Sequence, residues 1–236
     1  MEHHGVVSHP DWAKNLSFLN ATFGQFFTFI HALIASVIPN PNYSYGLAII
    51  AFTAIIRICL LPLTMKQIKS QVKMQEVQPL VKEIQTKYKN DPKKSQEEVM
   101  KLYKKTGSNP ISGCLPLIIQ LPIIWALFFV FNHLTAIQGV HFLWIKDLYG
   151  ADPYYILPIL STVTTYISSR LMTPTGDNAQ AKQTSTMNTA MAVMFGFMSI
   201  KFKSAIVLYW VTQNLFQIGQ TIFMKKMDIR KKEIKE

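Results

Sequence analysis

The chain has 236 residues, 49% of them hydrophobic, and its 24 Lys and Arg against 13 Asp and Glu give a formal net charge of +11. The apolar content excludes intrinsic disorder, and 10 Gly and 2 Cys exclude a collagen-like or a disulfide-rich class. Charged and apolar residues occupy separate blocks, which argues against a soluble basic nucleic-acid-binding protein. We therefore predict an all-α integral membrane protein that crosses the bilayer several times.

Residues 1–45 are predicted to form an extracytoplasmic N-terminal segment. Its extreme N-terminus lacks a basic region followed by an apolar one, so we predict no cleavable signal peptide. The apolar stretch at about 23–38 is interrupted by Gln25, Thr28 and Ser36. Such a mixed segment suits an amphipathic helix in the membrane interface better than a further span.

Five stretches are predicted to be membrane-spanning helices, because a bilayer core of roughly 30 Å requires about 20 mostly apolar residues. They lie at 46–65, 113–134, 153–172, 187–200 and 205–224. The stretches between and after them are a cytoplasmic segment (66–112), an extracytoplasmic linker (135–152), a cytoplasmic loop (173–186), a short extracytoplasmic turn (201–204) and a basic cytoplasmic tail (225–236).

The positions of Lys and Arg predict the orientation, since these residues accumulate on the cytoplasmic side of a membrane. The segment 66–111 holds eleven of them and the tail holds six. An odd number of spans places both basic blocks in the cytoplasm, so we predict five spans with the N-terminus outside and the C-terminus inside. Lys201 and Lys203 then fall on the less expected, outer side.

The cytoplasmic segment 66–112 is predicted to form a helical hairpin. Apolar residues recur at helical spacing from Val77 to Tyr88, and Asn90-Asp91-Pro92 predicts a turn. Ser95 is predicted to open the second helix in a capping box with Glu98, and Gly107 to close it. The alternative is a solvated charged loop that packs on nothing.

Arg57 is a charged residue within a predicted span. An arginine at mid-span costs about 2.5–3.5 kcal/mol on insertion scales, and it normally faces a bundle interior or a water-filled cavity. No span offers an Asp or Glu to pair with it, since Asp152 only borders the third. Either carbonyl groups, Thr53 and amides of other spans solvate the guanidinium, or the cation stays unneutralised in a wet cavity and attracts a transient anion. The cost of holding an unpaired charge favours the second interpretation.

Polar side chains of other spans are predicted to line this cavity, because they repeat on single helical faces. With Arg57 and Thr53, the predicted groove contains Gln120, Thr164, Ser168, Gln183, Asn188, Trp210, Gln213, Asn214 and Gln217. Ordinary hydrogen bonding between helices explains each polar stripe alone. Three stripes in one small bundle with an unpaired arginine favour a hydrated groove.

Methionines recur at helical spacing on the fourth span, at Met187, Met191 and Met194. Methionine is adaptable and recurs on promiscuous binding surfaces, but simple packing is the more common role of such a stripe. The six His residues show no metal-ligand spacing, and the chain has no Gly-rich phosphate loop. We therefore predict no enzyme activity, no nucleotide, no metal and no cofactor.

Three stretches of the chain resemble the YidC/Oxa1/Alb3 membrane protein insertases, in their short five-span bacterial form. They are YGLAIIAFTAIIRICLLPLTMKQ (Tyr45–Gln67), NPISGCLPLIIQLPIIWALF (Asn109–Phe128) and VLYWVTQNLFQIGQ (Val207–Gln220). The resemblance places Arg57 at the arginine of the family's hydrophilic groove. It implies a multi-pass protein of the bacterial plasma membrane, with an interfacial first helix, a cytoplasmic hairpin and a groove open to the cytoplasm and the lipid.

The same resemblance implies nascent membrane proteins and the lipid bilayer as partners, with the ribosome and the Sec translocon as further candidates. Met187, Met191, Met194 and Tyr209 are then predicted to contact the apolar part of a substrate. The basic tail is associated with the ribosome in this family. Its cations either contact ribosomal RNA or anchor the helix to the anionic leaflet: Lys225, Lys226, Arg230, Lys231 and Lys232.

We therefore predict an insertase and chaperone for nascent inner-membrane proteins. Arg57 attracts the polar or acidic flank of a substrate, groove water lowers its desolvation cost, and the apolar helix slides into lipid. A small anion channel or transporter with Arg57 as its selectivity cation is the alternative from another class. A passive ribosome tether that acts through the tail is a third.

Overall fold

The computed structural model describes residues 11–108, 115–173 and 179–233, and within these ranges the chain is helical, with no β-sheet. Residues 1–10, 109–114, 174–178 and 234–236 lie outside the described part, and so do the predictions that fall on them. The described helices are α1 (Asp11–Val37), α2 (Pro41–Cys59), α3 (Leu61–Lys87), α4 (Pro92–Thr106), α5 (Leu115–His133), α6 (Ile156–Met172), α7 (Ala179–Ser199) and α8 (Ser204–Glu233).

Helix α8 lies at the centre of the bundle and packs on α6 and α2, while α7 packs on α6 and stacks Phe195 on Trp210 of α8. Helix α1 packs on α2 and α5. Three rings fix this last contact, because Phe27 of α1 lies edge-on to Phe52 of α2 and Phe131 of α5, with ring centroids 5.8 and 5.3 Å apart. Buried apolar side chains of α1, α2, α5, α6 and α8 form one continuous core with those of the segment between α5 and α6.

Helix α1 contains the segment 23–38 that was predicted to be an interfacial helix, but it begins earlier, at Asp11. Phe27 and Ile30 on one face are buried, whereas Phe29 and Leu33 on the other are exposed. Apolar side chains thus lie on both the packed and the free face of α1, and its amphipathic character stays a prediction. Its place at the membrane interface stays a prediction.

The predicted first span 46–65 does not form one helix. Helix α2 ends at Cys59, and α3 begins at Leu61. Pro62 explains the break, because proline has no N–H to bond the carbonyl of Ile58 and its ring crowds that carbonyl. The last residues of the predicted span therefore belong to the first helix of the hairpin.

Helices α3 and α4 pack against each other through Val77, Val81, Val99 and Tyr103. The prediction that Ser95 opens the second helix is wrong. Helix α4 begins at Pro92, and the side chain of Asp91 caps it by accepting a hydrogen bond of 3.0 Å from the N–H of Lys94. An aspartate followed by a proline is a strong start signal, since the carboxylate caps the helix and proline suits its first turn.

Gly107 ends α4 in the left-handed conformation, with φ of +61°. We expect Gly107→Ala to destabilise the end of the hairpin by about 1 kcal/mol, because a Cβ is disfavoured at positive φ. Hydrogen–deuterium exchange of the last turn of α4 measures this as about a fivefold faster exchange. Gly107→Asn is the matched control, since asparagine tolerates this conformation better. Equal protection in the alanine variant and the wild type would contradict the expectation.

The linker between α5 and α6 packs into the end of the bundle. Val140, Phe142, Ile145 and Leu148 of this segment are buried in the core. The N–H of Ala205, at the start of α8, donates a hydrogen bond of 2.9 Å to the carbonyl of Leu148. The linker thus fills the end of the bundle opposite to the hairpin.

Helix α6 begins at Ile156, later than the predicted 153. The carboxylate of Asp152 explains this start, because it accepts hydrogen bonds from the N–H groups of Tyr154 and Leu157 at 3.1 and 2.8 Å. Tyr155 between them adopts the left-handed conformation with φ of +57°. An acidic residue at a helix start satisfies free N–H groups and the helix dipole.

Lys203 contacts both the linker and the last turn of α5, and so connects them. Its ammonium group lies 3.2 Å from the centre of the Tyr149 ring and 3.2 Å from the carbonyl oxygen of Asn132. The Tyr149 hydroxyl donates to the same carbonyl at 3.1 Å. Carbonyl groups at a helix C-terminus carry partial negative charge and favour a cation. These contacts account for a lysine on the side where the sequence places few cations.

Two further boundaries differ from the prediction. Helix α7 begins at Ala179, so the end of the predicted loop 173–186 is helical, and α8 continues to Glu233 instead of ending before the tail. Among the described helices, α2 is the one that length and hydropathy alone make long and apolar enough to cross a membrane. The stretch Ile118–His133 is apolar but shorter. The count of five spans stays a prediction.

Candidate functional site

A cavity of about 270 Å³, most of whose lining residues have polar side chains, lies between the end of α2, the first half of α3 and the helices α5 to α8. It is on the hairpin side of the bundle, away from the packed linker. Its lining residues are Arg57, Leu60, Leu63, Thr64, Gln67, Gln71, Ile119, Gln120, Thr165, Ser168, Ser169, Met172, Thr173, Thr184, Asn188, Met191, Trp210, Gln213, Asn214 and Gln217. Among the described residues of this lining, Arg57 carries the charge, and none is an Asp or Glu.

The guanidinium of Arg57 is held by α8. Its Nε donates to the side-chain oxygen of Gln213 at 2.8 Å, and its Nη1 donates to that of Gln217 at 2.5 Å. Its Nη2 donates to the main-chain oxygen of Gln213 at 3.1 Å. These acceptors are neutral, so they orient the guanidinium and solvate it without cancelling its charge.

A guanidinium has five N–H donors, and these three bonds use three of them. The side chain of Arg57 is 7% exposed, and it borders the cavity. Amides of another helix solvate the cation, as the first interpretation of Arg57 proposed. No carboxylate lies among the described lining residues. The transient anion of the second interpretation stays a prediction.

Arg57 lies in the last turn of α2, not at the middle of a helix. The partial negative charge of a helix C-terminus favours a cation there. Its partner Gln213 nevertheless lies about 13 Å of helical rise into α8, near the middle of the predicted fifth span 205–224. The end of α2 thus places the charge of Arg57 beside Gln213, and the depth of both residues in the membrane stays a prediction.

A network of side-chain amides continues from Arg57 along the cavity wall. Gln213 donates through Nε2 to the side-chain oxygen of Gln120, whose own Nε2 donates to the Tyr209 hydroxyl at 2.8 Å. On the other side, Asn214 donates to the Thr165 hydroxyl at 2.8 Å. These bonds fix the α8 side of the cavity between α5 and α6.

Several residues of the predicted groove lie outside the cavity. Thr53 is fully buried and donates its hydroxyl to the carbonyl of Ile49 at 2.7 Å, so it does not reach Arg57. Thr164 is buried behind the lining, within 3.3 Å of Asn214. Gln183 is exposed on the first half of α7. Helical spacing places residues on one face but does not tell which helix that face meets.

The residues predicted to contact an apolar substrate lie in different places: one lines the cavity, two are on the outer surface and one is buried. Met191 lines the cavity, whereas Met187 and Met194 are exposed on the outer face of α7. Tyr209 is buried at 1% exposure beneath Gln120, so it is not available to a ligand in this conformation. The methionine stripe therefore spans the edge between the cavity and the outer surface.

Lys225 does not belong to a free tail. Its ammonium donates to the carbonyl of Leu171 at 2.7 Å and to the side-chain oxygen of Gln75 at 3.3 Å, and Gln75 donates to the carbonyl of Thr173 at 3.1 Å. Partial burial lowers the pKa of Lys225. Lys226 beside it is exposed. The side chains of the further predicted tail contacts lie outside the described part: Arg230, Lys231 and Lys232.

Sequence reasoning missed the part of the lining that comes from α3. Thr64, Gln67 and Gln71 are all buried, and all line the cavity. Their i, i+3, i+7 spacing is a visible signal of one helical face. It was missed because this stretch was assigned to the end of a span and to the hairpin, and the break at Leu60 turns it towards Arg57.

Residues 37–232 match the sequence profile of the family described as the 60Kd inner membrane protein. The chain belongs to this YidC/Oxa1 family of membrane protein insertases. A membrane protein insertase YidC from Clostridium tetani is 51% identical over 213 residues, which cover 90% of this chain and 96% of that relative. Another from Clostridium perfringens is 49% identical over 216 residues, 89% of this chain and 91% of the relative.

The fold is also similar to a solved structure, described as an active YidC insertase with its first transmembrane domain resolved. The TM-score is 0.64 at 33% identity, over 85% of this chain and 45% of that longer chain. Membership in this family of inner-membrane insertases makes the chain an insertase of the bacterial plasma membrane, and the all-helical fold agrees with it.

Proposed function

We propose that this insertase uses the polar cavity as a groove that receives the polar flank of a nascent membrane protein. The observation that carries the proposal is the guanidinium of Arg57, which borders the cavity with neutral partners only and no carboxylate among the described lining residues. A cation that is costly to hold in a membrane and is left uncompensated attracts an anion. The acidic flank of a substrate supplies such an anion for a limited time.

The proposed membrane arrangement has five spans, with the N-terminus outside and the hairpin in the cytoplasm. In it, the cavity faces the cytoplasmic half of the bilayer, since α2 and α6 end beside it and α7 begins there. The linker fills the outer end with buried side chains such as Phe142, Ile145 and Leu148. The groove is thus open on the side from which a nascent chain arrives.

The groove lowers the barrier for moving a short polar flank because it replaces part of the flank's water with fixed dipoles. Side-chain amides of Gln120, Gln213, Asn214 and Gln217 supply these dipoles. They are already oriented by their own hydrogen bonds, so little reorganisation is needed when a flank enters. The apolar helix that follows the flank then moves into lipid, and its burial supplies the free energy.

The packed outer end argues against the alternative of a small anion channel. A channel needs a continuous polar path, whereas the residues opposite the cavity, including Phe131, Ile137 and Leu157, are buried and apolar. A passive ribosome tether is also less well supported, since Lys225 of the predicted tail is engaged by α3 and α6. The ribosome and the Sec translocon stay proposed partners.

Reconstitution of the purified chain in liposomes tests this function. We expect a labelled single-span substrate synthesised in vitro to become protected from protease in these liposomes, several-fold more than in protein-free liposomes. We expect no added chloride flux in the same preparation. Chloride flux without substrate insertion would support the channel instead, and insertion no better than in protein-free liposomes would contradict the proposal.

A further inference from the structure

The two sides of the polar cavity differ in how their hydrogen-bonding groups are used. On the α8 side, the amides of Gln213 and Gln217 bond Arg57 and other neighbours. On the α3 side, Gln67 and Gln71 are each only 6% exposed, and neither side-chain amide has a hydrogen-bond partner within the described part of the chain. The α3 side therefore offers two amide groups that face the cavity and bond no other residue of the described part.

A buried amide without a partner is unfavourable, and buried polar groups in native proteins are nearly always hydrogen-bonded. The amides of Gln67 and Gln71 border a cavity that has room for several water molecules. Water therefore satisfies them in the empty groove, and a ligand that enters must replace those hydrogen bonds. A ligand that offers both donors and acceptors replaces them best, since each amide has two N–H donors and one oxygen acceptor.

The spacing of the two amides restricts the ligand further. Gln67 and Gln71 are one turn apart on α3, which corresponds to about 6 Å of helical rise. An extended polypeptide presents main-chain groups to one side at every second residue, about 6.6–6.8 Å apart. A carboxylate offers only acceptors, so it can bond the N–H groups of each side-chain amide but not its oxygen. The main-chain peptide group offers one donor and one acceptor, as the amides do.

We infer that Gln67 and Gln71 bind the main-chain peptide groups of the substrate flank in an extended conformation, whatever the charge of its side chains. The inference rests on the proposed insertase function and extends it. Arg57 then favours acidic flanks, while the α3 side holds any unfolded flank. A helix satisfies its own peptide groups internally, so the apolar segment that folds into a helix gains nothing from these amides and is released towards the lipid.

Insertion assays with two substrates test the inference, one with an acidic flank and one with a neutral polar flank of equal length. We expect Gln67→Leu and Gln71→Leu each to reduce insertion of both substrates by about fivefold, and the double variant by more than about tenfold. Gln85→Leu is the matched control on the same helix, about 21 Å of helical rise beyond Gln71. Wild-type insertion of the neutral-flank substrate by a folded double variant would overturn the inference.

Photocrosslinking covers the case in which the leucine variants fold poorly. A benzophenone amino acid at position 67 or 71 is expected to crosslink the flank of a ribosome-stalled substrate, with either flank charge and at alternate flank positions. Crosslinks to lipid only, or to acidic flanks only, would overturn the inference. If the wild type itself inserts nothing, the proposed function fails; if it inserts and the folded leucine variants insert equally well, only the role of Gln67 and Gln71 fails.

Discussion

Arg57→Ala is expected to reduce insertion of substrates with an acidic flank by about ten- to a hundredfold. The estimate follows from the loss of a hydrogen-bonded charge contact, worth about 1.5–3 kcal/mol where water is largely excluded. Substrates with a neutral flank lose less, because the polar lining remains. Protease protection of the two kinds of substrate in liposomes, at equal amounts of inserted variant, measures the difference.

Two further variants separate the charge of Arg57 from its structural bonds. The alanine variant leaves the side-chain oxygens of Gln213 and Gln217 without their donor, so it also loosens the contact between α2 and α8. Arg57→Lys keeps the charge with fewer directed donors, whereas Arg57→Gln keeps a donor without the charge. We expect the lysine variant to insert acidic flanks better than the glutamine variant. Equal insertion by both, or full activity of the alanine variant, would remove charge attraction from the mechanism.

Gly46→Ala is expected to destabilise the protein by about 1–3 kcal/mol. A Cβ at Gly46 would lie 2.1–2.4 Å from three carbon atoms of the Phe142 ring, well inside contact distance. Phe142 is itself buried in the linker, so its ring has little room to move. The overlap therefore strains the place where α2 meets the linker at the closed end of the bundle. Thermal unfolding in detergent measures the loss as a lower midpoint temperature.

Gly219→Ala is the matched control for this prediction. A Cβ at Gly219, on α8, meets nothing within 4 Å, so alanine there is expected to be neutral or to stabilise the helix by about 0.5–1 kcal/mol. A double-mutant cycle adds a second test. In a Phe142→Ala background the ring is absent, and Gly46→Ala is expected to cost little. A Gly46→Ala variant as stable as the wild type would contradict the prediction and would show that the Phe142 ring moves aside at little cost.

Sequence patterns predicted the helices well where the signal for a helix lies within a few neighbouring residues. The hairpin follows from apolar spacing around Val77 and from the turn at Asp91, and Gly107 ends its second helix as expected. Boundaries failed where two local signals compete. Ser95 offers a capping box, but Asp91 followed by Pro92 offers a stronger start four residues earlier. Pro62 likewise divides an apolar stretch that hydropathy alone treats as continuous.

The candidate site was predicted only in part, because helical spacing does not fix which group a polar side chain bonds. Arg57, Gln213 and Gln217 were all expected in the groove, and the structure brings them into direct contact. Thr53 was expected beside Arg57 because it lies one turn earlier, but its hydroxyl bonds its own helix. A hydroxyl within a helix often bonds the preceding turn, and sequence spacing alone does not exclude this.

The sequence by itself determined that the chain is a helical membrane protein with a basic hairpin and an arginine that has no acidic partner in its spans, since hydropathy, charge and residue type are properties of the chain. Only the tertiary structure decided what surrounds that arginine. Gln213 is 156 residues away from Arg57, and Gln67 faces the same cavity because the helix breaks at Leu60. Such contacts depend on how whole helices pack, which no local spacing specifies.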